Sequence, residues 1–245
     1  MNLPPHEEVP GFREIGFIAF TTTRQAGSFN LASTEPAAAV FGRWMKLAES
    51  LRPEAHRLAT SRQVHGDRLL HHGDQWSGWL RDTTGADGHL SGSAGTAMAV
   101  TLADCVPIFI AHPDGIGLIL HSGWKGTAAR ILEQGLRALD ARGHPVADAH
   151  VHFGPAICGK CYEVGPEVFA AVTGTQVTTP TLLDLRAVMA LQARQAGAAV
   201  TISEWCTRCH NERFFSHRAG DEGRQVGVIV VPGDPSLAAR TEPLP

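Results

Sequence analysis

The stretch VPIFIAHPDGIGLIL, residues 106–120, decides the reading of the fold. Val106 to Ala111 is a largely apolar run, Ile116 to Leu120 is a second, and HPDG at 112–115 carries the Pro-Asp-Gly chemistry of a tight turn. The stretch predicts a β-hairpin. With Pro113, Asp114 and Gly115 as a three-residue loop and Gly115 left-handed, His112 pairs with Ile116 and Pro107 comes opposite His121. Cys105 then shares a face with Pro107 and lies diagonal to His121, roughly 7 to 8 Å away between backbones. A slip of one residue would put the two side chains on opposite faces.

Cys105 and His121 are joined by a third candidate ligand, His65. Their surroundings, SRQVHGDRL, VTLADCVPIF and LHSGWKGTAAR, are dense in polar and small residues and read as neither core nor ordinary surface. Two imidazoles and one thiolate leave the fourth tetrahedral position of a zinc ion open, as a catalytic site requires. The hairpin brings two of the three together, and nothing local shows how His65 approaches.

Outward from the hairpin, periodicity predicts a mixed α/β chain. Strands are expected at Phe12 to Thr22, Ala97 to Leu102, Ala149 to Phe153, Ala199 to Glu204 and Gln225 to Val231. Helices are expected at Pro36 to Leu51, Trp124 to Arg142, Pro166 to Val172 and Leu183 to Gln195. The helix from Trp124 is the clearest, with Ala128, Ile131, Leu132, Leu136 and Leu139 at three- and four-residue spacing, so His121 sits where a strand hands over to a helix. Trp76 to Gly95, rich in Gly, Ser, Asp and Thr, reads as loops.

No repeat or linker divides the 245 residues, and one domain over 1–245 is expected. Lys plus Arg total 21 against 24 Asp plus Glu, a net charge of -3 that gives no electrostatic case for nucleic-acid or membrane binding. The first fifteen residues, MNLPPHEEVPGFREI, have neither a basic start nor an apolar stretch suited to export, so a cytoplasmic protein is expected. Five cysteines then point to reduced thiols in metal or catalytic use.

Several rival chemistries use the same residue types. Cys158 with Cys161 and Cys206 with Cys209 form two CxxC pairs that together would make a closed four-cysteine zinc site. Tyr162, Glu163 and Val164 follow the first pair where turn residues are usual, and the plainer reading is small buried thiols. A nucleobase-deaminase zinc motif needs His-x-Glu shortly before Pro-Cys-x-x-Cys, and the two His-x-Glu matches, at His6 and His210, are misplaced. His150 and His152 form a single His-x-His pair, too few for multicopper centres, and read as strand residues; His71, His72 and His144 read as loop or surface. Cys105 has a rival role as a nucleophile activated by His121 or His65, although no base-orienting group is evident. Neither a Walker loop nor a GxGxxG after a strand is present. Arg24, Arg62 and Lys125 are the cations nearest the motif segments for holding a phosphate, Lys125 in the first turn of a helix.

The motifs together resemble the bacterial laccase-domain family, also called polyphenol oxidase or multicopper oxidase type 4 and associated with purine nucleoside phosphorylase activity. The matching segments are FNL at 29–31 after TTTRQAG, QVHG at 63–66, ADG at 86–88, TLADCVP at 101–107, HSGWKGT at 121–127, GPAICGKCYEVG at 154–165, and CTRCHNERFFSHR at 206–218 followed by GR at 223 and 224. They run in order across nearly the whole chain. The resemblance implies a single-domain, mixed-sheet α/β sandwich holding zinc through His65, Cys105 and His121. Copper also binds such ligands.

It further implies phosphorolysis of adenosine, inosine and methylthioadenosine, with deamination of adenosine. Small-molecule nucleoside and phosphate are the expected partners, and a monomer is expected. Cys105 and Asp104, the latter as a proton shuttle, are the expected catalytic groups, with Arg24, Asn30, Arg62, Gln63 and Lys125 at substrate or phosphate. The alternatives kept are a Cys-His amidase acting on a cell-wall precursor, a copper-dependent polyphenol oxidase and a noncatalytic metal-binding partner. One departure is visible: the segment after Arg24, AGSFNL, is shorter than the family's usual Gly-rich loop.

Overall fold

The computed structural model describes residues 2–231 and residue 233; the remaining ends of the expected domain, residue 1, residue 232 and residues 234–245, lie outside the described residues. In chain order the elements are β1 (His6–Glu8), β2 (Ile18–Thr22), α1 (Ala37–Leu51), β3 (Arg57–Ser61), β4 (Leu69–His71), β5 (Gly78–Asp82), β6 (Gly88–Ser91), β7 (Thr96–Leu102), β8 (Val106–His112) and β9 (Ile116–Ser122). There follow α2 (Trp124–Ala128), α3 (Ile131–Asp140), β10 (His150–Phe153), β11 (Glu163–Val164), α4 (Pro166–Thr173), β12 (Thr181–Leu182), α5 (Leu185–Gln195), β13 (Ala199–Ile202) and β14 (Gln225–Val231).

Two six-stranded mixed sheets carry the fold, ordered β1-β2-β14-β7-β3-β5 and β13-β10-β8-β9-β6-β4. Alternate residues of each strand face opposite ways, and here both faces are covered. In β14, Val226, Val228 and Val230 pack with Val40, Trp44, Leu47 and Leu51 of α1, while Ile229 and Val231 pack with Phe109 and Ile119 of the other sheet. In β8, Ile108 and Ile110 turn outward onto Leu132, Leu136 and Met189 of α3 and α5. The layers are therefore helix, sheet, sheet, helices, which is the sandwich expected. Trp44, 2% exposed, is the largest side chain of the α1 layer; truncating it to alanine would cost about 3 to 5 kcal/mol.

The hairpin has the predicted register. His112 pairs with Ile116, Pro107 faces His121, and Gly115 is left-handed at φ +86°. Pro107 and His121 fall on the same side as Phe109 and Ile119, so His121 ends the layer between the sheets. Three expectations are corrected. The region read as loops, Trp76 to Gly95, contains β5 and β6, the latter fully buried between β9 and β4. The helix read over Trp124 to Arg142 is two helices, broken where Arg130 turns left-handed at φ +62° and its amide bonds Thr127 O instead of continuing the helical ladder. The strand read from Phe12 begins at Ile18, after a 3-10 turn over Arg13–Ile15.

Candidate active site

His65, Cys105 and His121 do converge. One ligand atom from each lies within 4.8 Å of the others, and the two imidazole rings meet edge to face with centroids 4.9 Å apart. His121 is the penultimate residue of β9, and Cys105 comes from the bend between β7 and β8. His65 comes from the loop after β3, where it takes a left-handed backbone at φ +60°.

That loop is held by a carboxylate the sequence reading did not single out. Asp87, wholly buried, accepts the amides of Val64, His65 and Gly66 at 3.0, 2.9 and 2.8 Å and the Nδ1–H of His121 at 2.8 Å. Its own carbonyl takes the His121 amide. One side chain therefore fixes two of the three ligands. With Nδ1 bound to Asp87, His121 has Nε2 free for a metal, the arrangement by which carboxylates orient ligating histidines. Burial alone would raise the Asp87 carboxyl, but the His121 contact and the Gly66 and Val64 amides hold it below its ordinary range.

Two of the ligands, Cys105 and His121, form a charged pair. Burial alone would push the Cys105 thiol up, yet the charge and hydrogen bond of His121, with a bond from His65, bring it down to about 6. Burial would lower His121, yet the Cys105 thiolate and Asp87 raise it to about 9. A thiolate beside two imidazoles is a donor set suited to zinc or copper. Gly123 leaves room for it, because a Cβ there would stand 2.9 Å from the Cys105 sulfur.

The three ligands line a cavity of about 460 Å³, within the size range of small-molecule sites. Phe29, Leu31 and Leu102 give it apolar walls; Arg62, Arg81, His217 and Arg224 bring positive or protonatable groups. Asn30 and Leu31 of the AGSFNL segment, with Ala32 just after it, also face it.

Of the residues expected at substrate, Asn30, Arg62 and Gln63 line this cavity. Gln63 is committed to β7, its amide bracketing the Thr101 backbone at 2.7 and 2.8 Å. Arg24 and Lys125 are not among the lining residues. Arg24 spends its guanidinium on Asp221 at 2.6 Å and on the carbonyls of Asn211 and Phe214, and exposed Lys125 lies over the Trp124 ring. Asp104 is also reassigned. Its carboxylate accepts from the Thr207 hydroxyl at 2.6 Å and the Arg218 amide at 2.7 Å, so both oxygens are occupied in shaping the bend that carries Cys105.

Other histidines separate into core and surface. His72, read as surface, is buried and bonded to His89, itself bonded to Ser61. His150 and His152 lie on β10 as expected, His152 bonded to Thr201.

A family model described as multi-copper polyphenol oxidoreductase laccase matches residues 18–232. A purine nucleoside phosphorylase of Mycobacterium tuberculosis is 33% identical over 228 residues, covering 85% of this chain and 90% of that protein. The purine nucleoside phosphorylase YlmD of Geobacillus stearothermophilus is 33% identical over 207 residues, covering 75% of this chain and 76% of its own. Its crystal structure superposes with a TM-score of 0.82 at 28% identity, over 92% of this chain and 94% of that one. Adenosine deaminase RL5, from an unknown prokaryotic organism, is 30% identical over 232 residues, covering 83% of this chain and 87% of that protein.

Proposed function

The chain belongs to the multi-copper polyphenol oxidoreductase laccase family, and from that membership we propose that it is a zinc-dependent purine nucleoside enzyme, cleaving adenosine, inosine and methylthioadenosine with phosphate and deaminating adenosine. The observation that carries the proposal is the convergence of His65, Cys105 and His121 on one cavity with Asp87 behind them. Relatives named for nucleoside phosphorolysis and adenosine deamination support the substrate class. The multicopper label of the family finds little support in the ligands: His152 of the His-x-His pair is bonded to Thr201, and the other histidine-bearing group among the described residues, His112, Asp114 and His144, includes the turn end of the hairpin, opposite to the His121 end.

His65, Cys105 and His121 would hold the metal, which would supply Lewis acidity at the cavity. The protein groups do the rest. Phe29, Leu31 and Leu102 offer apolar surface to base and sugar, and Asn30 offers polar edges beside them. Arg62, Arg81 and Arg224, near the ligands, are the cations that suit phosphate, since guanidinium matches its oxygens in pairs. In phosphorolysis a phosphate oxygen bonds to the anomeric carbon as the bond to the base breaks, and the base leaves with a proton on its ring nitrogen. In deamination water adds to the amino-bearing ring carbon and ammonia departs.

A second reading draws on one observation. Cys105, His121 and Asp87 stand in the order nucleophile, base and orienting carboxylate, the geometry of a thiol hydrolase, which suits an amidase acting on a cell-wall precursor. In that reading His65 adds only a hydrogen bond to the Cys105 thiolate, whereas a metal takes it as a ligand. Chromatography of adenosine incubated with the zinc-loaded protein, with and without phosphate, tests the proposal. Adenine formed only with phosphate, and inosine in either case, are expected. Intact adenosine in both incubations, with activity on an amide that thiol alkylation abolishes in metal-free protein, would put the hydrolase in its place.

A further inference from the structure

The two CxxC pairs lie far apart in sequence and meet in space. They follow β10 and β13, which run parallel as neighbours with His150 opposite Ala199 and Phe153 opposite Ile202. Two parallel strands release their chains from the same end of the sheet, and here the pairing continues beyond them. Ala156 bridges to Cys206 in parallel, and the Thr207 amide bonds Ala156 O at 3.1 Å. Cys158 and Cys161 are thereby delivered beside Cys206 and Cys209.

All four sulfurs lie within 4.8 Å of one another, and the Cys161 and Cys209 sulfurs are 3.4 Å apart. A tetrahedral ion with metal–sulfur bonds of roughly 2.3 Å spaces its sulfurs about 3.8 Å apart, so the cluster closes on an ion with little movement. The Cys158 and Cys209 amides already donate to the Cys206 sulfur at 3.3 and 3.4 Å, the support a ligating thiolate needs. None of the four lines the cavity of the open site. The plain reading of these cysteines as buried thiols is therefore corrected: Cys206 alone is buried and Cys209 is exposed.

We propose that Cys158, Cys161, Cys206 and Cys209 bind a structural zinc ion, distinct from the metal at His65, Cys105 and His121. Four thiolates complete a tetrahedron and leave no position for substrate. The site has a place in the active-site architecture through Thr207, which lies inside the second pair. Thr207 bonds Asp104 at 2.6 Å, and the Ile157 amide, next to Cys158, bonds Asp104 O at 3.1 Å. Asp104 is left-handed at φ +80° and precedes Cys105. The ion ties together the two loops that hold this strained bend, so it positions Cys105 without touching substrate.

The test is metal analysis of protein purified under reducing conditions, with cobalt(II) exchanged for the native ion as a spectroscopic probe. The decisive variant is His65→Ala with His121→Ala, which keeps all four cysteines and removes two ligands of the open site. It is expected to retain one metal ion per chain, with the intense charge-transfer absorption of a four-thiolate cobalt site. Cys161→Ser with Cys209→Ser is expected to lose that absorption, keep the open-site metal and melt at lower temperature. A doubly substituted histidine protein that is folded and metal-free, with all five thiols open to titration or two disulfides by mass, overturns the proposal. That outcome does not depend on any nucleoside being turned over, so the two proposals fail separately.

Discussion

Two clusters of soft ligands stand within one chain, and they are built in opposite ways. The first takes one ligand from each of three separate elements, sets a buried carboxylate behind them and faces a cavity. The second takes two ligands from each of two loops, supports them with backbone amides and closes on itself. The number of thiolates differs, and so does what lies on the fourth side. A site becomes reactive when its ligands run out before its coordination does, and the cavity then supplies what is missing. The difference also fits the tasks proposed for them: chemistry at the open cluster, and at the closed one the holding of the bend from which the open cluster takes its thiolate.

The largest effect should come from removing an open-site ligand. His121→Ala or Cys105→Ala gives up metal Lewis acidity worth several kcal/mol, so kcat/KM for adenosine should fall by at least about 10³-fold while the four-cysteine ion stays. Retention of activity in either variant, measured alongside metal content, would erase the distinction between the clusters. Next comes Asp87→Asn. The amide keeps an acceptor for the loop but weakens the hold on His121, and loss of such a partner typically costs 10- to 100-fold in metal affinity, readable by competition with a chromophoric chelator. An unchanged affinity would mean that Asp87 serves the loop alone.

Thr207→Val removes one of the two bonds, the other being that of the Ile157 amide, through which the closed cluster bears on the bend before Cys105. It strips a hydrogen bond from a buried carboxylate and should destabilise the protein by about 1 to 3 kcal/mol, with a smaller drop in kcat than in the open-site variants and metal content unchanged at both sites. Equal stability in a denaturant titration would sever the proposed connection. A pH-dependent effect of similar size per group is expected from two buried histidines that ligate neither cluster, His89 and His152. Burial, with His72 nearby, lowers His89 to about 3, and burial, with Arg186 nearby, lowers His152 to about 4. Both are neutral when folded and take a proton on unfolding once the pH falls below about 6.5. Their contribution is complete above that value and is lost as pH falls towards the folded values, at about 1.4 kcal/mol per pH unit for each. Unfolding curves between pH 7 and 5 check the sign; a stability that rises on acidification would contradict it.

What the sequence disclosed follows from how local its signals are. The hairpin register could be read because Pro113, Asp114 and Gly115 dictate the turn and a period of two then fixes every partner, His121 included. The split helix could not, because Arg130 is left-handed without a Gly or Pro to announce it. β6 escaped notice because GHLS lacks the apolar alternation of a one-faced strand, and it is buried on both sides. Asp87, inside a motif that reads as a turn, acquires its role only when β6 brings it under the His65 loop. The one local trace is Gly88 beside it, where a Cβ would collide with Leu69 and Leu120. Arg24 was expected at phosphate because its partner Asp221 is 197 positions away. The two cysteine pairs are joined by a parallel strand pairing that no spacing rule contains.

Stepwise chelation of the purified protein tests the central claim most directly, with adenosine turnover in phosphate followed against metal retained per chain. Turnover should vanish as the open site empties, while the metal held by the four cysteines remains, and return when zinc is added back. Full turnover in protein whose His65, Cys105 and His121 hold no metal would contradict the account.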